Sequence, residues 1–198
     1  MYTLKIRNNF LIKIAFILTI AGLNNFLPAQ DMVFFQEEIY IKIENNRCII
    51  DGTYYFKNIN SEDIKRVLYY PFPVDNNMTY PDSIFIKDIE KQQRIHFTKY
   101  KQGVAIPMIV KAHSISIIRV YYTQKTVVNE AEYILKTTTF WGKPLEKAEF
   151  IVELSDNFKL VKLSYDHDSM VKKNGAKFYK ITKTNFMPDK NLKITWKE

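Results

Sequence analysis

Three histidines, one cysteine and one tight acidic run are the residues whose types could carry chemistry. His96, His113 and His167 have no second histidine at i+2 or i+4, the intervals at which one element would present two metal ligands together. The run "DHDSM", Asp166 to Met170, could hold a divalent cation or supply an acid and a base. It lacks the Gly and the distal Glu of an EF-hand loop. Lying between "KLSY" and "VKKNG", Asp166, His167 and Asp168 read more simply as a turn between strands. Ser114 and Ser116 beside His113 form no nucleophile and base pair, because adjacent residues of a strand point to opposite faces. No G-x-S-x-G, H-E-x-x-H or phosphate-cradling glycine loop occurs, and there are only five glycines. The sequence therefore assigns no catalytic residue, no metal ligand and no cofactor. A hydrolase acting on carbohydrate or peptide would have to build its site from scattered Asp, Glu and Ser.

Aromatic side chains are the other candidates. The chain carries 13 Tyr, 14 Phe and 2 Trp, and exposed rings that combine an apolar face with a polar edge suit peptide or glycan contact. Phe140 and Trp141 in "KTTTFWGKPLEKAEF", and Tyr69, Tyr70 and Phe72 in "LYYPFPVD", are the rings with turn residues beside them. The competing reading is that each fills core.

The elements that must position these rings are strands, because the dominant period is two. "EEIYIKI" places Ile39, Ile41 and Ile43 on one face. "CIIDGTYYF" groups Cys48, Ile50, Tyr54 and Phe56, with Gly52 where a bulge or a close approach would sit. "AEFIVEL" turns Ala148, Phe150, Val152 and Leu154 inward and Glu149 and Glu153 outward. "SISIIRVYYTQ" is apolar on both faces, which predicts a central strand covered on each side. Further strands are expected over 67–70, 83–88, 95–99, 104–110, 133–139, 158–165, 177–182 and 192–196. No stretch keeps an apolar helical stripe for ten residues. Many short strands with polar turns predict an all-β, antiparallel β-sandwich.

Local signals fix several corners. Asn174-Gly175 suits a tight type I′ hairpin. Pro71 and Pro73 remove two ladder donors within three residues, so Tyr69 and Tyr70 must close a strand. Asn58 suits a turn opened by its own side chain. Gly142 and Pro144 predict a corner between strands over 133–139 and 148–154, with Trp141 folded back over one end of the core.

The N-terminus bounds the compartment. Lys5, Arg7 and Lys13 precede the apolar run from Ile14 to Leu23, and "NNFLPAQ" then turns polar, the layout of a signal peptide cut after Ala29. An apolar run of about ten residues is short of the roughly 20 needed to span a bilayer. Residues 1–29 are thus expected to be a signal peptide, and 30–198 a β-sandwich domain with a soft division near 126–131. Cys48 is the only cysteine, so no internal disulfide can form, and it reads as a buried small hydrophobe. The net charge of +8 falls to +5 without Lys5, Arg7 and Lys13. Export and the alternation of Lys193 and Lys197 with Leu192, Ile194 and Trp196 argue a solvated strand face and no nucleic-acid partner.

The segment "IYIKIENNRCIIDGTYYFKNINSEDIKRVLYYPFPVD", followed by "HSISIIRVYYTQ", resembles the plan of VIT-type domains and of related secreted bacterial β-sandwich proteins. The resemblance is carried by Tyr54, Phe56 and Asn58, then Tyr70, Pro71, Phe72 and Pro73, then Val120, Tyr122 and Gln124. It spans roughly Ile39 to Gln124. It implies an accessory or interaction role and brings no catalytic residues.

The expected function is that of a periplasmic or extracellular binding or accessory module, acting by surface recognition on another envelope or extracellular protein or a glycan. The alternatives are the exported hydrolase and a structural subunit of the cell envelope.

Overall fold

The computed structural model describes residues 32–198, so the expected signal peptide, 1–29, lies outside the described residues. The strands are β1 (Met32–Glu44), β2 (Arg47–Asn58), β3 (Ile64–Pro71), β4 (Ser83–Asp88), β5 (Gln93–Arg94), β6 (Thr98–Tyr100) and β7 (Gly103–Val110). They continue as β8 (Ile115–Lys125), β9 (Glu130–Tyr133), a 3₁₀ helix (Lys136–Trp141), β10 (Leu145–Ser155), β11 (Lys159–Leu163), β12 (Ser169–Lys173), β13 (Ala176–Phe186) and β14 (Leu192–Lys197). Eight strands form one large sheet in the order β12-β13-β10-β1-β2-β8-β4-β5. Two three-stranded sheets, β11-β14-β9 and β3-β7-β6, cover one face of it.

Alternation decides which side chains meet in the middle. Ile39, Ile41 and Ile43 of β1, Phe150, Val152 and Leu154 of β10, and Ile118, Val120 and Tyr122 of β8 all point inward and are buried. Val104 and Ile106 of β7 and Ile194 and Trp196 of β14 meet them from the small sheets, in one continuous cluster. Each such side chain is worth roughly 1.5–3 kcal/mol on burial, which makes the shared core the principal source of cohesion between the layers.

The hairpins follow from local chemistry. Asn174 and Gly175 both take positive φ, 52° and 72°, as a type I′ turn requires. Asn45 and Asn46, with φ 47° and 58°, close β1 onto β2 in the same way. Asn58 is fully buried; its Nδ2 donates to the carbonyls of Glu62 (2.7 Å) and Val110 (3.0 Å) and its Oδ1 accepts from the Asn60 amide (2.9 Å). Gln124, also fully buried, donates to the carbonyls of Pro73 (2.9 Å) and Thr79 (2.6 Å) and so ties down the long connection after β3.

Several expectations shift. Among the described residues the strand pairings are antiparallel save one: β1 lies parallel to β10, from Gln36↔Lys147 to Ile43↔Leu154. A parallel pair needs a long crossover, and the whole stretch from β2 to β9 supplies it. The strand expected over 133–139 stops at Tyr133, and a 3₁₀ helix follows. That connection crosses from a small sheet to the large one. The strand expected over 95–99 begins only at Thr98. β8 is central in its sheet but covered on one face only; Ile117, Arg119 and Tyr121 lie on the outer side. Gly52 marks a close approach, whereas the bulge falls at Phe35, between Phe34 and Gln36.

Candidate functional site

The bulge at Phe35 sets up the site. In an uninterrupted strand Phe34 and Glu37 would face opposite ways. One extra residue between Phe34 and Gln36 restores them to a common face. Both are therefore buried, Glu37 at 2% exposure. Glu37 sits in phase with Ile39, Ile41 and Ile43, the one carboxylate on that side of β1.

Above these residues the two small sheets do not pair strand to strand, and a cavity of about 400 Å³ opens between them. Phe34, Glu37, Tyr54 and Phe56 of β1 and β2 form its floor. Leu68 to Pro71 of β3 form one wall, and Tyr133 with the 3₁₀ helix forms the other. The short helix turns Trp141 back, with its ring centre 5.7 Å from that of Phe34 and 5.5 Å from that of Phe56. Phe140, next along, is 82% exposed at the rim. Gly142 ends the helix in the left-handed region, φ 68°.

Three buried tyrosines form a hydrogen-bonded chain that ends on the carboxyl. The Tyr54 hydroxyl lies 2.6 Å from that of Tyr70 and 2.9 Å from that of Tyr133, and the Tyr133 hydroxyl donates to Glu37 Oε2 at 3.2 Å. Each hydroxyl has one proton. With Tyr133 donating to Glu37, Tyr54 donates to Tyr133 and Tyr70 to Tyr54, a chain directed at the carboxyl. Gly52 makes the geometry possible: it shares the inner face with Tyr54, and a Cβ there would lie 2.7 Å from the ring carbon that bears the hydroxyl. Gly103 does the same for Tyr69, whose ring would come within 2.7 Å of an added Cβ.

Burial pushes the Glu37 carboxyl up to about 8, against the lowering effect of the Tyr133 hydroxyl. It is therefore mostly protonated at neutral pH. Burial also raises Tyr54, Tyr70 and Tyr133 well above the usual phenol range, so they stay neutral donors. Glu37 Oε1 has no hydrogen-bond partner among the described residues, which leaves a strong acceptor or donor site unused.

Of the rings singled out from sequence, Trp141, Phe140, Tyr69 and Tyr70 line this cavity. Phe72 does not; it is 2% exposed, packs on Tyr122 with ring centres 4.8 Å apart, and borders a smaller adjacent hollow of about 290 Å³. Asp166, His167 and Asp168 are exposed and far from any convergence of acids: Asp168 Oδ2 accepts from the Thr182 amide at 2.6 Å, and His167 packs edge-on against Tyr179. No group of three or more His, Cys, Asp or Glu suited to a metal ion occurs among the described residues. Cys48 is buried, and that burial raises its thiol to about 12, which keeps it protonated. Sequence reasoning missed Glu37, Tyr133, Phe34 and the site role of Tyr54. The one available signal was a Glu in phase with three buried isoleucines.

Comparison with known proteins matches the fold before any activity. A family model described as a domain of unknown function, DUF4424, matches residues 119–195, less than half of the chain. That match covers the later strands, whereas the motifs that suggested a VIT-type plan lie mostly before it and no such domain is matched. No curated protein matches the chain in sequence. Among solved structures, a Legionella pneumophila protein whose nutrient-binding assignment is provisional superposes with a TM-score of 0.70 at 14% identity, over 85% of this chain and 68% of its own. An M1 zinc metallopeptidase from Deinococcus radiodurans gives 0.51 at 11% identity, over 84% of this chain and 42% of that one. The chain thus spans under half the length of the peptidase. At these identities the likeness is one of fold. The fold and the aromatic cavity are compatible with a binding module, and no helix of the described residues is long and apolar enough to cross a membrane.

Proposed function

We propose that the chain is an exported binding module of VIT-like plan that takes its partner, another envelope or extracellular protein or a glycan, in the groove between the two small sheets. The observation that carries this reading is the aromatic cavity of about 400 Å³, a size within the range of ligand sites. Its flanks add a second means of recognition. β3 pairs only with β7 and β9 only with β14, so two unpaired sheet edges border the opening among the described residues. The Phe72 amide donates to the Gln102 carbonyl at 2.9 Å. In an antiparallel pair bonding residues alternate, so Leu68 and Tyr70 bond to β7 while Val67 and Tyr69 direct their amides to the open side. An extended segment can pair there and place side chains in the cavity.

The test is affinity capture from a native envelope extract with the wild type, Val67→Pro and Phe140→Ala. Proline at position 67 removes an outward donor and leaves the β7 ladder intact. A partner retained by the wild type and reduced about tenfold by both variants, with unchanged circular dichroism and Tm, supports the reading. Equal recovery by all three overturns it.

An exported hydrolase is the second reading, favoured by the raised carboxyl of Glu37, a property of general acids. Glycoside hydrolysis takes a pair of carboxyls roughly 5–9.5 Å apart, and among the described residues Glu37 is the one carboxylate lining the cavity.

A further inference from the structure

We propose that the cavity is a site for a ligand bearing a primary ammonium group on an apolar, ring-sized body, with its nitrogen donating to Oε1 of Glu37. This deepens the binding reading above by naming the chemistry of the ligand. Four observations point the same way. Glu37 is buried, lines the floor, and keeps Oε1 without a partner among the described residues. Among the described residues no Lys, Arg or His lines the cavity, so none of their cations competes for that oxygen. The rings of Phe34, Tyr54, Tyr69, Tyr133, Phe140 and Trp141 surround the space, and aromatic faces attract cations. The tyrosine hydroxyls already donate toward Glu37 through Tyr133, which favours its ionised form once a counter-charge arrives.

A primary ammonium satisfies the orphaned oxygen with an N–H and supplies the missing charge. A neutral alcohol can do only the first. An organic anion would meet a buried acid and ring faces of like potential. The titratable groups facing Glu37 are Tyr54 from β2, Tyr70 from β3 and Tyr133 from β9. β10 sets Ala148 opposite it, and the 3₁₀ helix contributes Thr137, Thr138, Phe140 and Trp141 to the cavity, none of them charged. Glu37 is protonated in the free protein at neutral pH, so binding transfers its proton to solvent: the acid and the ammonium ion become an ion pair and one released proton.

The experiment compares phenethylamine with its neutral isostere 2-phenylethanol by calorimetry, using the wild type and Glu37→Gln. In the wild type the amine is expected to bind about tenfold or more tighter than the alcohol at pH 7. Its affinity is expected to rise by up to about tenfold per unit between pH 6 and 8, the window set by the raised carboxyl. Buffers of different ionisation enthalpy should report close to one proton released at pH 7. Glu37→Gln should abolish the preference for the amine, bringing amine and alcohol to within about twofold of each other. Equal affinity of the wild type for amine and alcohol overturns the assignment, as does an amine preference that survives Glu37→Gln or a flat pH response. The wild-type comparison stands even if the variant does not fold. Alcohol binding without amine preference leaves the groove a ligand site and removes only the ammonium chemistry. Amine preference with equal partner capture by Val67→Pro and Phe140→Ala removes only the macromolecular partner.

Discussion

Glu37 and Glu149 lie on neighbouring strands of one sheet and face opposite ways. Glu38 is directly across from Glu149, and Glu37 from Ala148. On the outer face Glu149 accepts from Lys147 at 2.5 Å and Lys180 at 2.9 Å, and these lysines hold its carboxyl below the usual range. On the inner face Glu37 meets rings and one hydroxyl, and its carboxyl rises to about 8. The same residue type, displaced by one strand and one position, becomes a solvated anion or a neutral buried acid. The difference teaches that the face of the sheet, and so the register, sets the chemistry here. The most densely polar run of the sequence, Asp166 to Asp168, ends as an exposed link, while a lone Glu among isoleucines becomes the perturbed group.

The largest expected effect comes from that inner carboxyl. Its folded value lies above its unfolded one, so between about pH 4.5 and 8 the native state binds more protons than the unfolded state. Stability is then fully present at the acid end of this window and falls as pH rises through it, by on the order of a few kcal/mol. Urea unfolding at pH 5, 6.5 and 8 checks this, and Glu37→Gln should flatten the profile. An equally steep fall in the variant would place the origin elsewhere.

A smaller effect comes from the glycine beneath the tyrosine chain. Gly52→Ala puts a Cβ where the Tyr54 ring lies and should cost about 1–3 kcal/mol by overpacking. It should also displace the hydroxyl from Tyr133, so the tyrosine cluster, read by ultraviolet difference spectra, changes along with Tm. A normal Tm with an unaltered spectrum would contradict the described packing.

The smallest belongs to the outer face. Glu149→Gln removes two lysine pairings at a site open to water and should cost less than about 1 kcal/mol. Its sign with pH is opposite to that of Glu37: the depressed carboxyl contributes stability above the ordinary carboxylate range and loses it as pH falls through the folded value. If the variant instead matches the wild type at neutral pH and falls below it only at acid pH, the contrast between the two faces collapses.

Much of the fold was legible because its signals are local. Period two in "EEIYIKI" and "AEFIVEL" places the buried side chains correctly. Asn174-Gly175 marks a hairpin because few residues take positive φ twice in succession. Pro71 ends β3, where the lost donor predicts an end. The site was legible only in part. Trp141 and Tyr69 stand out as rings beside turns, but nothing adjacent in sequence marks Tyr133 or Glu37. The bulge at Phe35 leaves no glycine or proline to announce it, and it decides that Phe34 and Glu37 share a face. The 3₁₀ helix replaced an expected strand because Leu135 and Lys136 direct their amides to the side chain of Asn191, some 55 residues away.

By itself the sequence determined an all-β chain, the inward set of β1 from Ile39 onward, of β2 and of β10, the tight turns and the absence of a recognisable catalytic motif, since each depends on residues within a few positions of one another. Only the tertiary structure decided that β1 runs parallel to β10 and that two small sheets leave a gap over the large one. It alone decided that the hydroxyls of Tyr70, Tyr54 and Tyr133 link into a chain that ends on Glu37. Those features arise from contacts between residues far apart in the chain, from the 16 positions between Tyr54 and Tyr70 to the greater span between Gln36 and Lys147, whose meeting is set by how whole sheets pack and not by any local preference.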